Sequence, residues 1–232
     1  MPIDIDSDYE RPGPSAAFEL ARAYLWARED LVSSGYEQEI EWQTDTTLDA
    51  ITESDFLREA AWVIASSGLR EQCVRKFFPA IEEAHLRWVS AAAIVADAEG
   101  CRTRALRVFA NTRKVDSILR LVRCVDDVGF MEVKHRLQDQ GLLYIRQLPY
   151  MGPATSCHLA KSIGMDVAKP DRHLCRIAAL AGYADVHRMC RDIAEIVDER
   201  VSVVDLVLWR FSNLHRDYLD LLLRYLLPPH DA

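Results

Sequence analysis

Residues 148–152 read Leu-Pro-Tyr-Met-Gly and are followed by a proline, a pattern typical of a tight turn that opens a helix. Gly152 can adopt the backbone angles that a sharp turn needs, and Pro153 suits the first helical position. The backbone amides of Thr155 and its neighbours would then face outward and could bind an anion. The sequence therefore predicts a hairpin that can hold a phosphate.

A carboxylate follows the hairpin at the start of the next predicted helix. Asp171 comes directly after Pro170, and an aspartate in that context commonly caps a helix through its side chain. The same carboxylate could stabilise positive charge in a reaction, because a capping carboxylate is held rigidly and the helix dipole keeps it ionised. The two interpretations are compatible, so Asp171 is both a predicted cap and a candidate catalytic residue.

Two motifs in this segment resemble those of the helix-hairpin-helix DNA glycosylases, which include endonuclease III, the adenine glycosylase and the alkyl-base glycosylases. The family hairpin, Leu-Pro-Gly-hydrophobic-Gly, is matched by Leu148, Pro149, Met151 and Gly152, with Tyr150 replacing the first glycine. The family motif Asp-x-His-(Val/Ile/Leu)-x-Arg is matched by Asp171, His173, Leu174 and Arg176. The resemblance implies an all-α fold of two lobes, with the active site in the cleft between them.

The resemblance also implies a reaction. Departure of a base leaves positive charge on the sugar, and a carboxylate beside the anomeric carbon stabilises it and orients a water. Family members that also cut the strand carry a lysine two residues after the second hairpin glycine, where this chain has Ala154. We therefore expect a monofunctional DNA glycosylase that removes a damaged, mismatched or modified base in base excision repair.

Two further groups of residues are candidates for contact with double-stranded DNA. The expected strand contacts are Tyr150, Met151, Gly152, Ala154, Thr155, Ser156, Arg113, Lys114 and Arg172, although an exposed basic pair such as 113–114 is as often merely solvated. The candidates for the wedge that fills the space of an extruded base, or for the base pocket, are Ser66, Ser67, Leu69, Tyr144, His158, Lys161, Lys169 and His173. Aromatic residues at such positions are more often part of the core.

Two other functions remain open at this stage. His158 and Lys161, together with Lys169, Arg172 and His173, could form a basic pocket beside Asp171. Such a pocket would suit a pyrophosphate leaving group, as in base-modifying transferases that act on hypermodified thymine and are thought to be related to this superfamily. The alternative is a noncatalytic DNA-binding module, which would tolerate substitution of Asp171.

The composition permits DNA binding without requiring it. The chain of 232 residues has a formal net charge of −8, but the charge is unevenly distributed. Residues 1–60 hold 15 acidic and 4 basic side chains, a balance of −11, whereas residues 101–176 hold 7 acidic and 14 basic ones, a balance of +7. The local field steers a polyanion more than the total charge does.

Cysteine usage bears on cofactors and location. The 6 cysteines include no Cys-x-x-Cys pair, so we expect reduced thiols and no metal site. Endonuclease III carries four clustered cysteines for an iron-sulfur cluster near its C-terminus, and this chain has no cysteine after Cys190, so the resemblance implies no cluster here. A monovalent cation at the hairpin is the one ion that the resemblance suggests. With neither a signal peptide nor an apolar span in the sequence, we expect a cytoplasmic monomer without a membrane partner, bound to the nucleoid in a bacterium or acting inside the host for a phage.

Helical periodicity dominates the chain. The pattern predicts helices near residues 14–33, 54–67, 70–77, 88–98, 101–110, 112–125, 130–139, 142–147, 153–163, 171–182, 186–199, 202–214 and 216–226. Residues 37–43 alternate in the manner of a short strand or an extended linker. The resemblance divides the chain into a six-helix lobe at 56–165, which contains the hairpin, and a second lobe of 1–55 plus 166–232, which carries Asp171.

Overall fold

The computed structural model describes residues 14–226, and these residues form helices and connections without any β-strand. The all-α prediction is confirmed. The helices are α1 (Pro14–Ser33), α2 (Glu37–Asp45), α3 (Glu53–Ser66), α4 (Glu71–Ala84), α5 (Ala91–Ala96), α6 (Ala98–Val108), α7 (Thr112–Val128), α8 (Phe130–Gln140), α9 (Leu142–Ile145), α10 (Pro153–Ser162), α11 (Arg172–Leu180), α12 (Val186–Val197), α13 (Val201–Leu214) and α14 (Tyr218–Leu226). None of the helices within 14–226 is both long and apolar enough to cross a membrane.

One predicted element is wrong. The alternation at residues 37–43 indicated a strand or linker, but the segment forms α2. Ile40 and Gln43 are both buried, and their spacing of three residues is that of one helix face. Glu37 and Glu39 lie in the first turn, where the helix dipole favours negative charge. The short alternation was therefore a consequence of a helix with one buried face.

The chain divides into two units. Unit one comprises the residues up to Asp45 and those from Asp166 onward, and unit two comprises Thr46–Met165. The first division therefore falls between Asp45 and Thr46, whereas the sequence-based division lay at 55/56. The second division falls between Met165 and Asp166. The hairpin belongs to unit two and Asp171 to unit one.

Unit one is built around α1, which packs on α12, α13 and α14. The buried residues of α1 recur every three or four positions, as expected for one face of a helix: Leu20, Ala23, Tyr24, Ala27 and Leu31. They share a core with buried Met189 and Ile193 of α12 and Val204, Leu208 and Phe211 of α13. The same core includes buried residues of α11, the helix that begins directly after Asp171.

In unit two, α3 and α7 are the central helices, and α10 packs on α3 and α9. A capping box fixes the start of α3, because Thr52 Oγ1 accepts a hydrogen bond from Asp55 N and Thr52 N donates to Asp55 Oδ2. Asn111 caps α7 by accepting a hydrogen bond from Lys114 N at 3.2 Å. The helix after the hairpin, α10, therefore packs on α3, a helix whose start is fixed by its capping box.

Unit two also contains a strained connection. Leu86, Arg87 and Trp88 form a left-handed turn with φ values of 55°, 52° and 59°, a conformation that costs roughly 1–2 kcal/mol per residue for an L-amino acid. The rings of His85 and Trp88 stack with centroids 4.8 Å apart. Their Nε2 and Nε1 atoms are buried without a hydrogen-bond partner among the described residues. The predicted helix at 88–98 is consequently shorter and begins only at Ala91.

Candidate active site

Asp171 is the N-cap of α11, as predicted. Its Oδ1 accepts hydrogen bonds from His173 N at 2.8 Å and from Leu174 N at 3.0 Å. Within residues 14–226, no hydrogen bond or ion pair to Asp171 Oδ2 is formed, and the side chain is only half-buried. One oxygen therefore fixes the carboxylate to the helix, while the second is available to a ligand.

His173 lies beside this carboxylate in the first turn of α11. Arg172 Nε donates to His173 Nε2 at 3.1 Å, so the ring proton must be on Nδ1, which lies 3.3 Å from Tyr218 Oη. Burial lowers the pKa of His173 below its ordinary value of 6.5, and the nearby Asp171 carboxylate opposes that effect. The imidazole is therefore neutral near pH 7 and adds no charge to the predicted basic pocket.

The segment before Asp171 is held by three side chains that the sequence interpretation missed. Asp205 Oδ1 accepts a hydrogen bond from Lys169 N at 2.6 Å. His187 Nδ1 accepts one from Ala168 N at 3.3 Å, and Asp166 Oδ1 accepts one from Ser202 N at 2.9 Å. Asp205 had a signal in the sequence, since it is the one carboxylate in the largely apolar α13.

The residue with left-handed backbone angles in the hairpin is not the one that the sequence pattern indicated. Gly152 was expected to supply the unusual turn angles, but it is extended, with φ −81° and ψ −175°. The left-handed residue is Tyr150, with φ +70°. This is the position of the first glycine in the motif, so the turn keeps its shape at a cost of about 1–2 kcal/mol. The expectation that Gly152 supplies the unusual turn angles is therefore wrong.

Two hairpin side chains predicted to contact DNA are buried. Met151 is 5% exposed and Ser156 is fully buried, with its hydroxyl donating to Pro153 O at 2.9 Å. Thr155 Oγ1 donates to the carbonyls of Tyr150 at 3.1 Å and Gly152 at 3.2 Å, which closes the turn. The side chains of 151 and 156 are thus part of the core and cannot meet a strand.

The backbone of the hairpin retains the predicted anion site. No side chain caps α10, and its first turn contains no acidic residue. The amides of Ala154 and Thr155 donate to no acceptor in residues 14–226. Arg113 is exposed, and its guanidinium lies 5.6 Å from the ring centroid of Tyr150. Open amides and a cation therefore lie at the same hairpin, an arrangement suited to a phosphate.

Lys114 differs from its neighbour, and its predicted contact with a phosphate is wrong. The side chain is 5% exposed, and Nζ donates to Ala65 O at 2.8 Å and to Ser67 O at 2.6 Å. Burial lowers the pKa of this lysine, and the ring of Phe109 lies 5.7 Å away. Lys114 thus satisfies carbonyls at the end of α3, where a helix has no partners of its own and where its dipole favours a cation.

The predicted wedge turn follows α3. Ser66 and Ser67 are half-buried, Gly68 has φ +74°, and Leu69 is 45% exposed at the turn. Because Lys114 binds the Ser67 carbonyl, the turn that carries Leu69 is anchored to α7. Of the three wedge candidates, Leu69 is the one whose apolar side chain is exposed, and the wedge role stays a prediction for it.

The other base-pocket candidates have mixed outcomes. Tyr144 is 5% exposed, its pKa is raised by burial, and its ring lies 5.9 Å from the Arg136 guanidinium. The hypothesis that it stacks on an extruded base is therefore wrong. Lys161 is 8% exposed and His158 is half-buried, and both belong to unit two, whereas Lys169, Arg172 and His173 belong to unit one.

Metal ligation has no obvious site in the described part of the chain. Within 14–226, no group of three or more histidine, cysteine, aspartate or glutamate side chains could hold a metal ion. The hairpin carbonyls of Leu148, Tyr150 and Gly152 each accept a hydrogen bond from the protein. Tyr150 O and Gly152 O each accept two hydrogen bonds, one from a backbone amide and one from Thr155 Oγ1, so Leu148 O is the one of the three that keeps a lone pair. A monovalent cation at the hairpin stays a prediction.

Comparison with known proteins gives one structural match. No protein-family model matches the chain, and no curated protein sequence matches it. The match is the crystal structure of Tm1821, the 8-oxoguanine DNA glycosylase of Thermotoga maritima, with a TM-score of 0.55 and 16% sequence identity over 83% of this chain and 95% of that chain. The chain therefore has the all-α fold seen in that DNA glycosylase.

Proposed function

We propose that the protein is a monofunctional DNA glycosylase. The observation that carries the proposal is the state of Asp171: one carboxylate oxygen is fixed by the helix amides, and the other has no partner in residues 14–226. The fold shared with an 8-oxoguanine DNA glycosylase and the open amides of the hairpin support it. Fold alone would not be enough, because one fold can host unrelated functions.

The proposed reaction breaks the bond between the sugar C1′ and the base nitrogen. The bonding electrons leave with the base, which takes up a proton, and positive charge develops on the sugar. The free oxygen of Asp171 stabilises that charge and orients a water. The water oxygen bonds to C1′ and its proton passes to the carboxylate, which then releases it to solvent and so balances the proton that the base took from solvent. The product is an intact abasic site.

Strand binding is assigned to the hairpin. Its two open amides, at Ala154 and Thr155, would donate hydrogen bonds to a phosphate oxygen, and Arg113 would contribute charge. Leu69 is the proposed wedge, since insertion into the base stack would bury its exposed side chain. The reaction itself uses no cofactor, and no step of it depends on a cation at the hairpin.

A covalent lyase step is not part of this proposal. Ala154 occupies the position of the Schiff-base lysine, and Lys161, further along α10, is buried. Lys169 is half-buried, and its backbone is bound by Asp205. No observation specifically favours the pyrophosphate-displacing transferase, because the neutral His173 weakens the cationic pocket that it would need.

The remaining expectations follow from the proposed reaction. The partner would be double-stranded DNA, bound by a monomer in the cytoplasm, either on bacterial DNA or inside the host of a phage. The target base is decided by the shape of a pocket, so alkylated purine, uracil, mismatched adenine and oxidised guanine are the candidates to screen.

The test is a panel of duplexes, each with one of these lesions, incubated with the full chain. We expect strand breaks only after alkali or an abasic endonuclease is added, and little borohydride-trapped adduct on the cleaved lesion. Efficient trapping would contradict the monofunctional assignment. Binding of DNA without an abasic site on any lesion would favour the transferase or the noncatalytic module.

A further inference from the structure

We propose that Asp205 is a positioning residue that holds Asp171 in its reactive orientation, an inference that rests on the proposed function. Asp205 lies in α13 and is 1% exposed. It contacts the chain two residues before the candidate catalytic carboxylate. Its action is therefore assigned through the backbone and not through the substrate.

A continuous set of hydrogen bonds connects the two carboxylates. Asp205 Oδ1 accepts from Lys169 N at 2.6 Å, and Lys169 O accepts from Asp171 N at 2.7 Å. Asp171 Oδ1 in turn accepts from the amides of His173 and Leu174. The carboxylate is thus fixed on its C-terminal side by the helix that it caps and on its N-terminal side by Asp205.

The cost of burying Asp205 supports a specific role. A carboxylate removed from water is destabilising unless hydrogen bonds compensate for the lost hydration. The neighbouring positions of α13, Val204 and Val207, are buried and apolar, so an apolar residue at 205 would fit the same core. What an apolar residue could not supply is an acceptor for the Lys169 amide, which the extended segment leaves without a helical partner.

The helix cap alone does not make this contact redundant. The bonds to Oδ1 restrain the carboxylate relative to α11, but the segment 165–170 has no regular structure of its own. Freedom there would allow the cap residue to shift or rotate, and a misplacement of about 1 Å can lower a reaction rate roughly 100-fold. Asp205 anchors this segment at Lys169, two residues before Asp171.

The experiment compares Asp205→Ala, Asp205→Asn and the control Ser212→Ala, which removes another buried polar group from the same helix. We expect Asp205→Ala to lower the single-turnover excision rate by about 10- to 100-fold with DNA affinity unchanged. Asp205→Asn keeps an acceptor oxygen and should retain most of the rate. An unaltered rate in Asp205→Ala, or an equal loss in Asp205→Asn and Ser212→Ala, would overturn the proposal.

A second readout does not depend on excision. Amide hydrogen exchange of the peptide 166–174 should accelerate in Asp205→Ala and remain near the wild-type rate in Asp205→Asn. In an Asp171→Asn background, Asp205→Ala should cause no further loss of excision, because it acts through the carboxylate already removed. If the alanine variant does not fold, Asp205→Ser, whose shorter side chain moves its hydroxyl oxygen away from the Lys169 amide, is used in both measurements.

The two proposals can fail separately. Absence of excision by the wild-type chain on every lesion would contradict the glycosylase while leaving the exchange result to decide whether Asp205 anchors the segment. Normal excision by Asp205→Ala, together with unchanged exchange at 166–174, would contradict the role of Asp205 and leave the glycosylase intact.

Discussion

The segment around Asp171 and the hairpin around Gly152 both introduce a helix, but they treat its free amides in opposite ways. At α11 the Asp171 side chain accepts from two amides, and three further side chains hold the residues before it. At α10 no side chain of residues 14–226 caps the helix, and two amides have no acceptor in that range. The first helix start therefore holds a carboxylate of the protein in place, whereas the second leaves its amides available to an anionic ligand such as a phosphate.

The largest expected effect comes from neutralising the fixed charge. Asp171→Asn keeps an oxygen that can accept hydrogen bonds from the amides of α11. It removes the negative charge from the position that Oδ2 occupies. We expect excision to fall by about 100-fold or more, because charge stabilisation in the transition state is lost. The measurement is single-turnover release of the base, with the thermal unfolding midpoint as a control for the cap.

Lys114 is the counterpart of the Asp171 cap at the other end of a helix. At the end of α3 its ammonium group donates hydrogen bonds to two backbone carbonyls. Lys114→Met leaves the Ala65 and Ser67 carbonyls without their donor, so we expect a loss of about 1–3 kcal/mol in the free energy of unfolding. Arg113→Ala should leave stability unchanged and lower the salt slope of DNA binding by roughly one. Urea unfolding and binding at several salt concentrations measure the two effects. Equal behaviour of the two variants would contradict the distinction between them.

Gly152→Asp would give α10 an N-cap carboxylate like the one that Asp171 provides for α11. A side chain fits at this position, because φ is −81° and an added Cβ would lie 3.9 Å from its nearest neighbour, Thr155 Oγ1. The new carboxylate would cap α10, so we expect stability to rise by about 0.5–1 kcal/mol. DNA affinity should fall by about fivefold, since the amides are occupied and a phosphate is repelled.

The control for this variant is Gln140→Glu, which adds the same charge at an exposed position of α8 in unit two. It should change DNA affinity much less than Gly152→Asp does. A hairpin variant that is more stable and still binds DNA with wild-type affinity would show that the open amides are not the phosphate site.

The smallest expected effect concerns the buried imidazole of His85, whose Nδ1 lies 2.8 Å from Ile81 O and whose Nε2 has no hydrogen-bond partner among the described residues. Burial lowers its pKa below 6.5, so the unfolded chain binds more protons than the folded chain as the pH falls below that value. The stabilisation that comes from the neutral His85 is therefore complete above pH 6.5, and the free energy of unfolding declines as the pH falls below 6.5. His85→Phe should flatten this decline, measured as the unfolding midpoint between pH 7.5 and 5.5. A decline unchanged by the substitution would assign it to His173 and His187, whose pKa values burial also lowers.

The sequence predicted local features better than it predicted exposure. Asp171 was identified as a cap because an aspartate after a proline has a direct local signal. Tyr150 was not recognised as the left-handed residue, since a tyrosine gives no sign of that conformation and Gly152 was the obvious choice. Lys114 was assigned to the surface because a basic pair usually lies there, and only the packing of α7 on α3 buries it.

Long-range contacts explain the rest of what was missed. Asp205 accepts a hydrogen bond from the amide of Lys169, which lies 36 residues earlier in the chain, so no local sequence pattern connects the two residues. The alternation at 37–43 was too short to distinguish a strand from a helix, and burial of Ile40 against unit one decided in favour of the helix.

The most direct test of the account measures affinity and single-turnover excision for Asp171→Asn and Gly152→Asp side by side. The account predicts that the first variant binds the lesion duplex with wild-type affinity but hardly releases the base. It predicts that the second binds more weakly but releases the base at the wild-type rate when the enzyme saturates the DNA. Retained excision by Asp171→Asn, or loss of the same parameter in both variants, would contradict the division between a segment that reacts and a hairpin that binds.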